Sequence, residues 1–206
     1  MKKNIFITKN NLLKQKKLYM FLIFFSIIAI ISGILFYFII SDADKTNAKD
    51  LIDSFFSNIN NNEKLNYTTS LLNSLTNNIS SNLIIWLLGI SIIGFPIIIL
   101  FLFFKCFVLG FSISTIIAKY GFKGVLKAFL YIFPHQLISI IILILLSFYA
   151  LSFCIKLFRH LFLKEIINFK EAMRRYLKIL ALVLISNVIL SLYETYVATY
   201  LIRLLS

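Results

Sequence analysis

Long apolar blocks joined by shorter polar links make up most of this chain. Residues 18–40 are 23 positions without a charged side chain, which as a helix is about 34 Å long, enough to cross a hydrocarbon core of about 30 Å. Further apolar blocks cover residues 83–104, 128–155 and 179–202. The pattern predicts an all-α, polytopic integral membrane protein in which residues 1–206 form a single membrane domain.

One apolar segment, residues 106–118, leaves the number of crossings open. It has 13 residues, about 20 Å of helix, which is short for a crossing and equally suits a re-entrant piece. The arm 1–17 carries six lysines and no acid, and segment 156–178 carries seven basic residues against two acids. The positive-inside rule places both in the cytoplasm. An even number of crossings must then separate them, so we count 106–118 as one and predict about five transmembrane helices.

This topology makes residues 41–82 one helical extracytoplasmic loop. The loop is rich in Asn and Ser, yet apolar side chains recur at helical spacing around residues 51–59 and again around 71–79, so two short amphipathic helices are expected. Their apolar faces could lie on the outer leaflet or on each other, or could form a groove for a partner. For the second case, Phe55, Phe56 and Ile59 are the candidate partner-binding residues.

Composition and charge narrow the function. The chain is 60% hydrophobic and 14% charged with a mean hydropathy of +0.93, which excludes an ordinary soluble domain. The net charge of +13 is divided among separate segments, so we expect no nucleic-acid surface, and segment 156–178 suits the anionic inner leaflet of the lipid bilayer. Cys106 and Cys154 both lie in apolar blocks, so no extracellular disulfide framework is expected.

Few residues could carry chemistry. No metal-ligand spacing and no phosphate-binding glycine loop occurs in the sequence, so no cofactor, no small-molecule substrate and no enzymatic activity are expected. His135 follows Pro134 inside an apolar block, and Glu194 lies inside the last one. A carboxylate in a membrane span is costly and normally faces protein or water, so Glu194 needs a partner, for which His135, Gln136 and Tyr196 are candidates.

Several motifs resemble the stage II sporulation protein M family of endospore-forming bacteria. They are the stretch LIIWLLGISIIGFP at 83–96 with Gly94 and Pro96, the link GFKG at 121–124, the turn FPHQ at 133–136 with Pro134, His135 and Gln136, and YETYV at 193–197 with Glu194 and Tyr196. The resemblance implies a mother-cell membrane protein of forespore engulfment. It further implies a scaffold that holds two peptidoglycan-degrading partners, the stage II sporulation proteins D and P, at the septal and engulfing cell membrane.

Three hypotheses therefore remain. The first is a non-catalytic scaffold whose outer loop and membrane helices dock partners that face the wall. The second is a transporter or channel component that uses Glu194 and His135. The third, a membrane-embedded hydrolase, would need His135 as a catalytic group.

Overall fold

The computed structural model describes residues 2–61, 67–127, 133–164 and 168–198, and within them all regular structure is helical. The elements are α1 (Lys2–Ile39), α2 (Asp42–Asn61), α3 (Tyr67–Gly89), α4 (Gly94–Lys127), α5 (Phe133–Leu163) and α6 (Phe169–Leu192), followed by a π-helical segment, Tyr193–Ala198. The predicted all-α class is confirmed.

Within the described ranges, four helices are long and apolar enough to cross a membrane. Their candidate spans are Lys16–Ile39, Gly94–Phe122, His135–Leu163 and Phe169–Val197. The chain is therefore a helical multi-pass membrane protein. By this criterion the predicted count of five is not reached, because α3, the fifth long helix of the bundle, is polar over its first half.

The predicted boundaries of the spans at 83–104 and 106–118 are wrong. Helix α3 ends at Gly89, and after the turn at 90–93 a new helix begins at Gly94. Pro96 lies in the first turn of α4, where its missing N–H costs nothing, so it begins a helix instead of kinking one. Lys105, which directly follows the predicted span 83–104, lies within α4 with its ammonium 5.8 Å from the centre of the Phe101 ring. Residues 106–118 are therefore the middle of α4 and form no separate crossing.

The predicted loop also differs in its helices. Helix α2 contains the first amphipathic segment, as expected. The second segment, around residues 71–79, is the first half of α3, which continues without a break to Gly89. The polar half and the apolar half of α3 are thus one rigid element.

Helices α1 and α4 run side by side in the same direction. Phe25 contacts Phe103 with ring centres 5.6 Å apart, and further along both helices Tyr37 contacts Phe111 at 6.1 Å. Between these pairs the two backbones nearly touch. A Cβ added to Gly33 would overlap the carbonyl of Phe107.

The same close approach is seen from α4. A Cβ added to Gly110 would overlap the carbonyl of Ile30 on α1. Small residues at such a crossing let the two backbones come close, and van der Waals packing of this kind drives helix association in a bilayer. The two glycines therefore fix how α1 and α4 pack.

The end of α3 is buried and its last carbonyls are satisfied by neighbours. The Tyr176 hydroxyl donates to the carbonyl of Trp86 at 2.8 Å, and the N–H groups of Ile90 and Ser91 bond back to the two carbonyls that follow. The Cys154 thiol lies 3.2 Å from the carbonyl of Gly89. Because a helix leaves four carbonyls without intrahelical partners, these contacts let α3 end inside the bundle.

Candidate functional site

A line of paired polar side chains runs between α3 and α6. Ser74 on α3 donates to the carboxylate of Glu194 at 2.5 Å, and one turn further Asn78 donates to the hydroxyl of Ser191 at 3.3 Å. The helices are antiparallel, since the residue number rises along α3 as it falls along α6. One further turn places Asn82 level with Asn187.

We call this set the polar seam. It consists of Ser74, Asn78 and Asn82 on α3, Asn187, Ser191 and Glu194 on or after α6, and His135 at the start of α5. Positions three or four apart share one face of a helix, which is why each helix presents its members to the other. The period of four in Ser74, Asn78 and Asn82 is the sequence signal for the seam, and the predictions made from the apolar pattern missed it.

Glu194 lies at one end of the seam, in the π-helical segment Tyr193–Ala198. Besides the hydroxyl of Ser74, its carboxylate faces the Nε2 of His135 at 3.7 Å. The side chain of His135 is 6% exposed and that of Glu194 is 28% exposed. A carboxylate, an imidazole and a hydroxyl thus meet at one partly accessible point, an arrangement suited to binding or exchanging a proton.

The other motif residues are divided between the two ends of the bundle. Gln136 is half-buried beside His135, and Tyr196 is exposed on the π-helical segment. Pro134 is the second residue of α5, but its side chain lies outside the described residues. Gly94 and Pro96 begin α4 at the opposite end, where a Cβ on Gly94 would overlap the carbonyl of Leu88. The motifs therefore do not form one site.

The carboxylate of Asp53 links α2 to the end of α4. Asp53 accepts a hydrogen bond from the hydroxyl of Tyr120 at 2.5 Å and forms an ion pair with Lys119 at 2.5 Å. We call these three residues the α2 clamp. It places α2 at the end of the bundle where α4 ends. The side chains of Phe55, Phe56 and Ile59, the predicted partner-binding residues on α2, lie outside the described residues.

The face of α3 that points away from the bundle is polar in the first half of the helix and apolar in the second half. In the first half Asn73, Thr76, Asn77 and Ser80 are all exposed. In the second half the exposed side chains are Ile84 and Leu87. We call the first group the α3 polar face. It is on the opposite side of α3 from the seam and has no covering helix among the described residues.

Basic side chains gather at the other end of the bundle. Exposed members at the end of α5 and the beginning of α6 are Lys156, Lys164, Lys170, Arg174, Arg175 and Lys178. They lie at the same end as the turn at 90–93, because Cys154 of α5 and Tyr176 of α6 both contact the end of α3. In the described part of the chain, no three His, Cys, Asp or Glu side chains come together as metal ligands do.

These features define a multi-pass membrane protein built from long packed helices. The chain matches the family model described as Stage II sporulation protein M over residues 20–199, and it belongs to that family. The predicted family is thus confirmed. No curated protein and no solved structure was found to match the chain. Family membership indicates a sporulation membrane protein, and this family is not a known enzyme family.

Proposed function

We propose that this protein is a non-catalytic membrane scaffold of forespore engulfment. In this proposal it recruits two peptidoglycan-degrading partners, the stage II sporulation proteins D and P, and anchors them at the septal and engulfing membrane of the mother cell. The partners come from the family resemblance. The observation that carries the scaffold role is the uncovered α3 polar face.

The proposal includes a topology of five crossings, in which α3 is the second. Helix α3 is antiparallel to α6 and its end lies among the basic residues of α5 and α6. Because basic flanks favour the cytoplasm, the turn at 90–93 is then cytoplasmic. Helices α1, α4 and α6 run outward and α3 and α5 run inward. The N-terminus is inside, and α2 with its clamp is outside.

In this topology the α3 polar face lies at membrane depth. About 20 residues of helix span the hydrocarbon core, so counting back from Gly89 includes the whole polar face. Amide and hydroxyl groups that face lipid are costly, whereas the same groups form hydrogen bonds between helices when another helix covers them. We infer that a transmembrane helix of a partner covers Asn73 and Asn77.

The α2 clamp supports the same conclusion from outside the membrane. Helix α2 is rich in Asn, Ser and Asp, which are weak helix formers, and helices in proteins are stabilised mainly by packing, so α2 needs its attachment to α4 to keep one position. With α2 held at the outer end of α4, the protein would offer partners two surfaces, the α3 polar face within the membrane and α2 outside it.

Partner capture tests the scaffold. The double variant Asn73→Leu, Asn77→Leu removes two exposed amides that make no described contact within the bundle, so the fold should persist. We expect co-purification of the two partners from detergent extracts to fall at least fivefold. The matched control is Ile84→Ala, Leu87→Ala, on the apolar part of the same exposed side. Full capture by the Asn variant would refute the docking surface.

The topology has its own test. Phe122 is 90% exposed near the end of α4, and Lys164 is exposed beyond α5. In intact cells a membrane-impermeant thiol reagent should label Phe122→Cys but not Lys164→Cys. Labelling of Lys164→Cys from outside would refute the five crossings while leaving the partner experiment valid.

A transporter or channel component is the second candidate, because Glu194 and His135 do meet at one end of the seam. If it is correct, purified protein in liposomes will carry a measurable cation or proton flux that Glu194→Gln abolishes. The scaffold predicts no flux from either protein.

A further inference from the structure

We infer that the polar seam holds a file of bound water molecules that is open at Glu194 and closed near Trp86. The ligand of the seam is water, together with the protons that water carries. It gives the membrane-embedded carboxylate an aqueous path to one side of the bilayer only. The inference does not depend on the scaffold role.

The first observation is a gradient of burial along the seam. At the Glu194 end, Ser74, Asn78 and Glu194 are partly exposed. Deeper in the bundle Asn82 is 3% exposed, and Asn187 and Ser191 are 0% exposed. The seam therefore opens at one end and runs into the interior.

The second observation is a set of polar atoms without hydrogen-bond partners in the described part of the protein. Both amide atoms of Asn187 are buried and unpartnered, and so is the Oδ1 of Asn82, which the helix register places at the same level. Nearly all buried polar groups in proteins form hydrogen bonds, to protein or to ordered water. A fully buried amide with neither its donor nor its acceptor used is the kind of group that an internal water molecule satisfies.

These atoms continue the outer pairs and are not scattered through the bundle. Thr195 adds a buried unpartnered hydroxyl beside Glu194, and Ser147 on α5 adds one at the deep end. His135 contacts Glu194 and Phe153 contacts Tyr176, so the antiparallel register of α5 and α6 places Ser147 level with Val183, one turn below Asn187. Water bound to these groups would form one connected line.

Below this level the bundle is closed by stacked aromatic rings. Tyr176 stacks on Trp86 with ring centres 5.5 Å apart and on Phe153 at 4.9 Å. The Tyr176 hydroxyl is already used by the carbonyl of Trp86. The Nε1 of Trp86 is buried without a partner among the described residues, so it is the innermost polar atom that this water can reach. Beyond it, no buried and unpartnered side-chain nitrogen or oxygen is found in the described part of the protein, so the water ends at the three rings and the seam conducts nothing across the membrane.

Silver ion, which is about the size of a water molecule and reacts with thiols, tests this inference. In a background with Cys106→Ala and Cys154→Ser, single cysteines replace Ser191, Asn187 or Leu151, which are all 0% exposed. Leu151 lies one helical turn beyond Ser147, at the level of the aromatic rings. A fourth cysteine replaces Ile189, which is 64% exposed on the outer surface of α6 and faces lipid. The protein is reconstituted in lipid nanodiscs, so that silver reaches both faces, and unreacted thiols are counted with a fluorescent maleimide after denaturation.

We expect Ser191→Cys and Asn187→Cys to react at least tenfold faster than Leu151→Cys and Ile189→Cys. Because positions 191, 187 and 151 are equally buried, burial alone predicts equal rates for them. Equal slow rates at these three positions would overturn the water file. A rate at position 151 equal to that at 187 would overturn the closed end. If Ser191→Cys does not fold, Thr195→Cys replaces it, and a slow rate there would also count against the proposal.

The outcome is independent of the scaffold experiment. Slow silver reaction throughout the seam would say nothing against partner capture by the α3 polar face. Loss of partner capture would likewise leave the silver reaction rates unchanged.

Discussion

The α2 clamp yields the sharpest prediction, because one carboxylate carries both of its contacts. Asp53→Ala removes the hydrogen bond from Tyr120 and the ion pair with Lys119. The ion pair with Lys119 adds little, because water screens an exposed ion pair. A hydrogen bond to a charged acceptor contributes about 1.5–3 kcal/mol, and the lower half of this range applies because Asp53 is 44% exposed and water screens the interaction.

The docking of α2 on α4 should therefore weaken by about 2 kcal/mol, which is a factor of about 30 in the docking equilibrium. Amide hydrogen exchange of α2 in nanodiscs measures this change. Exchange through undocking should become about thirty times faster over the whole helix, whereas exchange in α4 should change little.

Asp42→Ala is the matched control, because it removes another carboxylate of α2. Asp42 is 99% exposed and its carboxylate pairs with Lys45 of the same helix. Its loss should affect only the first turn of α2. Equal exchange in the two variants would refute the reasoning. A double-mutant cycle of Asp53→Ala with Lys119→Ala that gives no coupling would contradict the ion pair specifically.

Three further predictions concern other contacts. Gly110→Val should lower the free energy of unfolding by about 1–3 kcal/mol, because the added methyl groups push α4 away from α1. The control, Val108→Ala on the exposed face of α4, should have a small effect. Equal unfolding midpoints of the two variants in detergent would contradict the close approach of α1 and α4. Tyr176→Phe should lower the free energy of unfolding by about 1 kcal/mol, because the hydrogen bond to α3 is lost. An unchanged unfolding midpoint would show that water replaces the hydroxyl. If Phe55 and Phe56 dock partners, replacing both by Asp should abolish partner recruitment and septal localisation in cells, and normal recruitment would show that α2 docks nothing through them.

Much of this protein could be predicted from the sequence. Residues 18–40 and 128–155 are apolar over lengths that only a membrane can accommodate, so the all-α membrane class needed no structure. The motifs at 83–96 and 193–197 were specific enough to indicate the family that the match over residues 20–199 confirms. Glu194 was identified as a residue in need of a partner because its charge is expensive in hydrocarbon.

The helix boundaries in the middle of the chain could not be predicted in this way. Hydropathy treats residues 83–104 as one block, because it does not register that Pro96 suits the first turn of a helix better than its interior. It also assigns the polar half of α3 to a loop, since polar residues normally face water. In the structure α6 supplies polar partners for that half, so it packs within the bundle as a helix.

Only the tertiary structure decided which residues meet. Ser74 and Glu194 are 120 positions apart, and no spacing rule connects them; the antiparallel packing of α3 on α6 does. The same holds for Asp53 with Tyr120 and for Tyr176 with Trp86. A sequence determines which segments can leave water, because that depends on local composition. The pairing of their polar groups depends on how the helices pack, and packing is a property of the whole bundle.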